Sequence, residues 1–122
     1  MAGLKLDGAG TAKMATLETA MNHLARLHST VEQCATAVKG KAPAAPFIPQ
    51  VRRYAQPMVG LLKGQFGMIA ELVSAFLLSS TRSAGNDQNK VRGLREGVAQ
   101  IRVQLELAVA KTIELHTAAD SH

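Results

Sequence analysis

The chain has 122 residues, 47% of them hydrophobic but only 3% aromatic, with no Trp, one Cys and a formal net charge of +5. That length supports a single domain with a modest core. Ala, Leu and Val with so few aromatics suit helix packing and argue against a β-sandwich or barrel, so the expected class is all-α.

Residues 1–10 contain three glycines and no apolar period, and are expected to form a flexible N-terminal tail. A first amphipathic helix follows from about Thr11, on the row Met14, Leu17, Met21, Leu24, His28, Val31, Ala35 and Val38, and closes at Gly40. Its length of about 28 residues corresponds to roughly 40 Å. Between Lys41 and Pro49 three prolines forbid a helix and require an extended connector.

The second helix is expected from about Gln50 to Ser80, with Pro57 either kinking it or opening a helix that restarts there. Its apolar residues, from Met58 through Phe66 and Leu72 to Leu78, point almost all round the axis, which predicts a central helix covered on most sides. Residues 81–89 are rich in Ser, Gly, Asn and Asp and form a turn, with Asp87 or Asn89 available to cap the next helix. The third helix carries Val91, Leu94, Val98, Ile101, Leu105, Ala108, Thr112 and Leu115 on one face and runs to about Thr117. The domain organisation expected is therefore one antiparallel bundle of three long helices over residues 11–118, four-helix-bundle-like, followed by a short tail at 119–122.

Val103, Leu107, Val109 and Ile113 lie outside the seam of the third helix and need a second partner surface. Burying an aliphatic side chain contributes about 1.5–3 kcal/mol, so these four residues predict a homo-oligomer. Gly60 with Gly64, and Gly93 with Gly97, each place two small residues on one helix face, a spacing that permits close helix contact.

Little in the sequence points to catalysis. His23 and His28 are five apart, the wrong spacing for two metal ligands on one helical face, and no metal site or cofactor is expected. His116 and His122 fall in a fraying end. Cys34 has no basic side chain beside it and reads as a core thiol. Glu71 sits inside the apolar second helix and is expected to pair with a group from another helix. With no phosphate loop, nucleophile elbow or metal box, an enzyme is not expected. The stretch 66–78 is too short and too interrupted to span a bilayer, and one cysteine without a leader-like start points to the cytoplasm.

Charge is uneven along the chain. From Lys39 to Arg102 there are ten Lys or Arg against three acids, gathered around the two connectors. In a three-helix hairpin Lys39, Lys41, Arg52 and Arg53 form one cationic pole and Arg82, Lys90, Arg92 and Arg95 the other, with Arg102 further along the third helix. Such poles attract a polyanion, and an oligomer multiplies the phosphates touched at once. With Tyr54 the only Tyr and few other aromatics, contacts to RNA or DNA would be to phosphate and read little sequence.

The run Phe47, Ile48, Pro49 with Arg53 and Tyr54, then Ile69, Ala70, Glu71 with Ser74, and finally Gln104, Leu105, Glu106, Leu107, Ala108 resembles a small four-helix-bundle family. That family includes the ribosomal intervening-sequence proteins and the accessory variability determinant of diversity-generating retroelements. The resemblance covers about residues 47–113. It implies a basic bundle in a pentameric barrel that binds nucleic acid and a reverse transcriptase, with Arg52, Arg53, Arg92, Arg95 and Arg102 as contacts. The expected function is a non-enzymatic nucleic-acid-binding accessory protein. A structural coat or scaffold bundle, motivated by the spare apolar surface, is the alternative.

Overall fold

A computed structural model describes residues 6–117 as four α-helices and a single 3₁₀ turn. The helices are α1 (Gly8–Lys39), α2 (Ile48–Leu62), α3 (Gly67–Thr81) and α4 (Asp87–His116), with the 3₁₀ turn at Ala45–Phe47 leading into α2. The all-α class expected from composition is what the chain adopts. Residues 1–5 of the expected N-terminal tail and the whole of 119–122 lie outside the described residues.

The fourth helix arises inside the expected second one. Helix α2 ends at Leu62, a turn occupies 63–66, and α3 begins at Gly67. Gly64 lies within this turn and Gly67 directly follows it, placing the residue of lowest helix propensity short of proline at both, and the Phe66 amide donates back to the Leu62 carbonyl at 2.7 Å. Pro57 does not cause the break; it lies within α2, on its exposed face. The Arg53 carbonyl, which loses its helical donor there, belongs to the same solvent-facing side.

The chain winds up, down, up and down. Each helix packs on its neighbours in sequence, and α4 closes the ring against α1. The two long helices span the molecule, whereas α2 and α3 form a hairpin of about half their length. Along α1 the buried row is Leu17, Ala20, Leu24, Leu27, Val31 and Cys34; α2 adds Val51, Ala55, Met58 and Leu62, α3 adds Ile69, Val73 and Phe76, and α4 adds Leu94, Val98, Ile101 and Leu105. No helix is central. Both α2 and α3 keep an outer face, on which Met68 and Leu78 are exposed and Glu71 stands in solvent without a salt bridge among the described residues, contrary to the expected pairing.

At the end away from the connectors, α1 starts three residues earlier than expected because Asp7 caps it, accepting from the Gly10 amide at 2.7 Å. The Asp7 amide donates to the His116 carbonyl at 2.9 Å, and the His116 ring stands between Asp7 (3.2 Å from Nδ1) and Lys13 (3.1 Å from Nε2). Because the Lys13 ammonium can only donate, Nε2 accepts and the proton sits on Nδ1, facing the carboxylate. His116 is thus a clasp between the ends of α1 and α4 rather than part of a frayed tail. Helix α4 in turn is capped by Asn86, whose side chain accepts from the Asn89 amide at 2.7 Å; Asp87 and Asn89, the two expected caps, are the first and third helical residues.

Candidate nucleic-acid interface

Splitting the second helix changes where the cations go. With α2 and α3 as a hairpin, both connectors, 40–47 and 82–86, lie at the same end of the bundle. Cys34 and Val38 of α1, Ala44 and Phe47 of the first connector, and Val91 of α4 share one small apolar cluster there. The expected two poles are one. It holds Lys39, Lys41, Arg52, Arg53, Arg82, Lys90, Arg92 and Arg95 against Glu32, Asp87 and Glu96. Among the other described residues five acids match five Lys and Arg, so the +5 excess of the described residues belongs entirely to this end.

The eight cations are not equivalent. Arg95 is committed to Glu32 of α1 through Nε at 2.9 Å and Nη2 at 2.5 Å, a two-pronged pair in which the side chains remain 53% and 39% exposed. The Arg95 hydrogen bond, reinforced by its charge, holds the Glu32 carboxyl below the usual carboxylate range, and the same bond raises the guanidinium. Lys90 is also committed. Its ammonium donates to the Ser80 carbonyl at 2.7 Å and the Arg82 carbonyl at 2.5 Å, satisfying oxygens at the end of α3 that have no helical donor.

Lys39, Lys41, Arg52, Arg53, Arg82 and Arg92 are exposed and make no salt bridge among the described residues. Arg102 stands apart, half-buried in the middle of α4. Between the end of α1 and the start of α4 a crevice of about 400 Å³ opens at the pole, with Thr36, Lys39, Gln88 and Arg95 at its polar side over Val38 and Val91. Beneath it Cys34 is fully buried, and burial, then the nearby Asp87 charge, pushes its thiol up, as befits a core residue rather than a nucleophile.

The expected oligomer surface also divides. Val103 and Leu107 are 50% and 58% exposed, whereas Val109 is half-buried against the core and Ile113 is half-buried further along α4. Val103 joins Met68, Ile69, Leu72 and Ala99 in a shallow apolar groove of about 500 Å³ between α3 and α4, with Gln100 and Gln104 on its rim. Met68, which periodicity had placed in the core of a covered helix, is 87% exposed at its mouth. Of the four paired glycines only Gly97 makes a close contact, under the ring of Phe76; Gly60, Gly64 and Gly93 face open space.

Comparison with protein-family models, with curated proteins and with solved structures finds no match to this chain. The site is therefore characterised by its own geometry. Among the described residues no group of His, Cys, Asp and Glu could hold a metal ion, and no helix is long and apolar enough to cross a membrane.

Proposed function

We propose that this protein is a non-enzymatic accessory bundle that binds RNA or DNA phosphates through its single cationic pole. The observation that carries the reading is the confinement of the net charge of the described residues to one end, where six exposed Lys and Arg side chains flank two converging connectors. A field of one sign at one end of a small domain steers a polyanion onto that end. Exposed cations without acidic partners are available to neutralise phosphates and so to release the counterions condensed on the nucleic acid, which drives salt-dependent binding.

Self-association belongs to the same proposal. The groove at Met68 and Val103, continued by Leu107, lies on the α3–α4 face and leaves the pole free, so copies joined there would present several poles to one strand. A pentamer, and a reverse transcriptase as protein partner, are proposed on the family resemblance alone.

The test is binding to mixed-sequence RNA and DNA at rising salt. The reading expects log affinity to fall linearly with log salt, with a slope of about −0.7 to −0.9 for each phosphate contacted. Absence of binding at low salt, or binding indifferent to salt, overturns it. The coat or scaffold reading is favoured instead by the exposed Met68 and Val103, and wins if the protein adsorbs to hydrophobic surfaces while ignoring nucleic acid.

A further inference from the structure

We infer that Lys41 is a dedicated phosphate-contact residue, held at the pole by a backbone conformation that glycine would adopt at lower cost. The inference rests on the reading of the pole as a polyanion surface. Helix α1 ends in a hydrogen-bonded hook: the Gly40 amide donates to Thr36 at 3.1 Å, Lys41 to Val38 at 2.9 Å and Ala42 to Ala37 at 2.8 Å. This nested pair of bonds from residues 41 and 42 is the helix ending that requires one left-handed residue just past the cap, a place usually taken by glycine.

Here that residue is Lys41, with φ of +72°, the only non-glycine residue with positive φ among those described. The glycine stands one position too early. Gly40 has φ of −84° and ψ of 14°, open to any residue, and a Cβ there would meet its nearest atom, the Ala37 carbonyl oxygen, at an ordinary 3.5 Å. The Gly40–Lys41 order is therefore the reverse of what the turn favours. A left-handed lysine is a local cost that persists only where something else requires it.

Attraction of the lysine to the carbonyl end of α1 is the competing explanation. Lys39, in the last turn, already places a cation there. Lys41 is exposed, makes no salt bridge among the described residues, and precedes Pro43 and Pro46, which stiffen the connector that carries it. Its position is fixed at both sides while its ammonium is left for a ligand.

The experiment compares the wild type with Lys41→Ala, Lys41→Arg and the charge-preserving exchange Gly40→Lys/Lys41→Gly. Binding to fluorescein-labelled mixed-sequence RNA and duplex DNA is read by anisotropy across a salt series, and stability by thermal melting. Lys41→Arg is expected to bind like the wild type. Lys41→Ala is expected to lose about three- to tenfold in affinity and about one phosphate contact from the salt slope. The exchange keeps the net charge yet is expected to melt a few degrees higher while binding as weakly as Lys41→Ala.

An exchange variant that binds like the wild type shows that charge anywhere at the pole suffices, and overturns the inference. One that melts no higher shows that the lysine serves the helix end, and overturns it too. If the wild type binds while Lys41→Ala is unchanged, this inference alone falls. If the wild type binds neither probe at low salt, the pole reading falls with it.

Discussion

The ring of Phe76 on α3 lies against the backbone of Gly97 on α4, filling the space that a side chain at 97 would take. A Cβ there would overlap Cδ1 of the ring and come within 2.9 Å of Cε1. Gly97→Ala should therefore push Phe76 out of the seam and destabilise the fold by about 1–3 kcal/mol. Gly93→Ala, one turn earlier with nothing within 4 Å, should gain about 0.4–1 kcal/mol by stiffening the unfolded chain. Urea unfolding of the two variants checks both signs.

Glu32 masks Arg95, so removing the acid should improve the interface. Glu32→Gln is expected to raise affinity for RNA or DNA about two- to fivefold at low salt, because one negative charge leaves the pole and the guanidinium is freed for phosphate. Arg95→Ala should weaken binding less than Arg52→Ala or Arg53→Ala does. Titrations at one fixed ionic strength give the ranking, and a stronger loss at Arg95 than at the two α2 arginines would contradict the assignment of Arg95 to the fold.

Lys90 ties the start of α4 to the end of α3 through two carbonyls. Lys90→Met keeps much of the aliphatic stem and deletes both hydrogen bonds, and should cost about 1 kcal/mol at this partly exposed site. Amide exchange in the last turn of α3 should accelerate more than exchange in α1. Uniform acceleration across all four helices would mean that the contact belongs to global stability and not to that helix end.

The clasp at the opposite end has a pH signature. The Gly10 amide, aided by His116, holds the exposed Asp7 carboxyl below its ordinary range in the folded protein. A lowered folded value means that its contribution is fully present above the unfolded value of about 3.9 and is lost as pH falls through the folded one. Melting curves of the wild type and Asp7→Asn should therefore differ above about pH 5 and converge at lower pH, as the Asp7 carboxyl takes up its proton. A gap that persisted unchanged below about pH 3 would refute the charge of the Asp7 carboxylate as its origin.

Met68 and Val103 test the proposed contact between copies. Met68→Lys with Val103→Glu places charge in an exposed groove, so the monomer fold should survive while self-association is lost. Light scattering reads the mass, and the salt slope of RNA binding should fall in parallel if several poles engage one strand.

The sequence alone determined the helical class, the first and last helices and most of the core. Those follow from local rules: a 3.6-residue apolar period in Leu17 to Cys34 and Val91 to Leu105, and prolines that keep α1 from running on past Gly40, although Pro46 and Pro49 fall in the first turns of the 3₁₀ segment and of α2, where proline is tolerated, so the extended connector expected to reach 49 ends earlier. The sequence also contained every cation of the pole. The division of the second helix was not legible because its buried row, Val51, Ala55, Met58, Leu62, Ile69, Val73 and Phe76, keeps heptad spacing across the turn at 63–66. Pro57 was the more conspicuous breaker, yet solvent on the outer face of α2 tolerates it, while the inconspicuous Gly64 marks the real reversal.

Only the tertiary structure decided that one reversal carries the two basic connectors to the same end, and that Arg95 and Lys90 are spent on Glu32 and the end of α3. Charge is a property of residues, whereas a pole is a property of their placement. Periodicity cannot fix that placement, because a heptad row looks the same whether the chain runs on or folds back on itself.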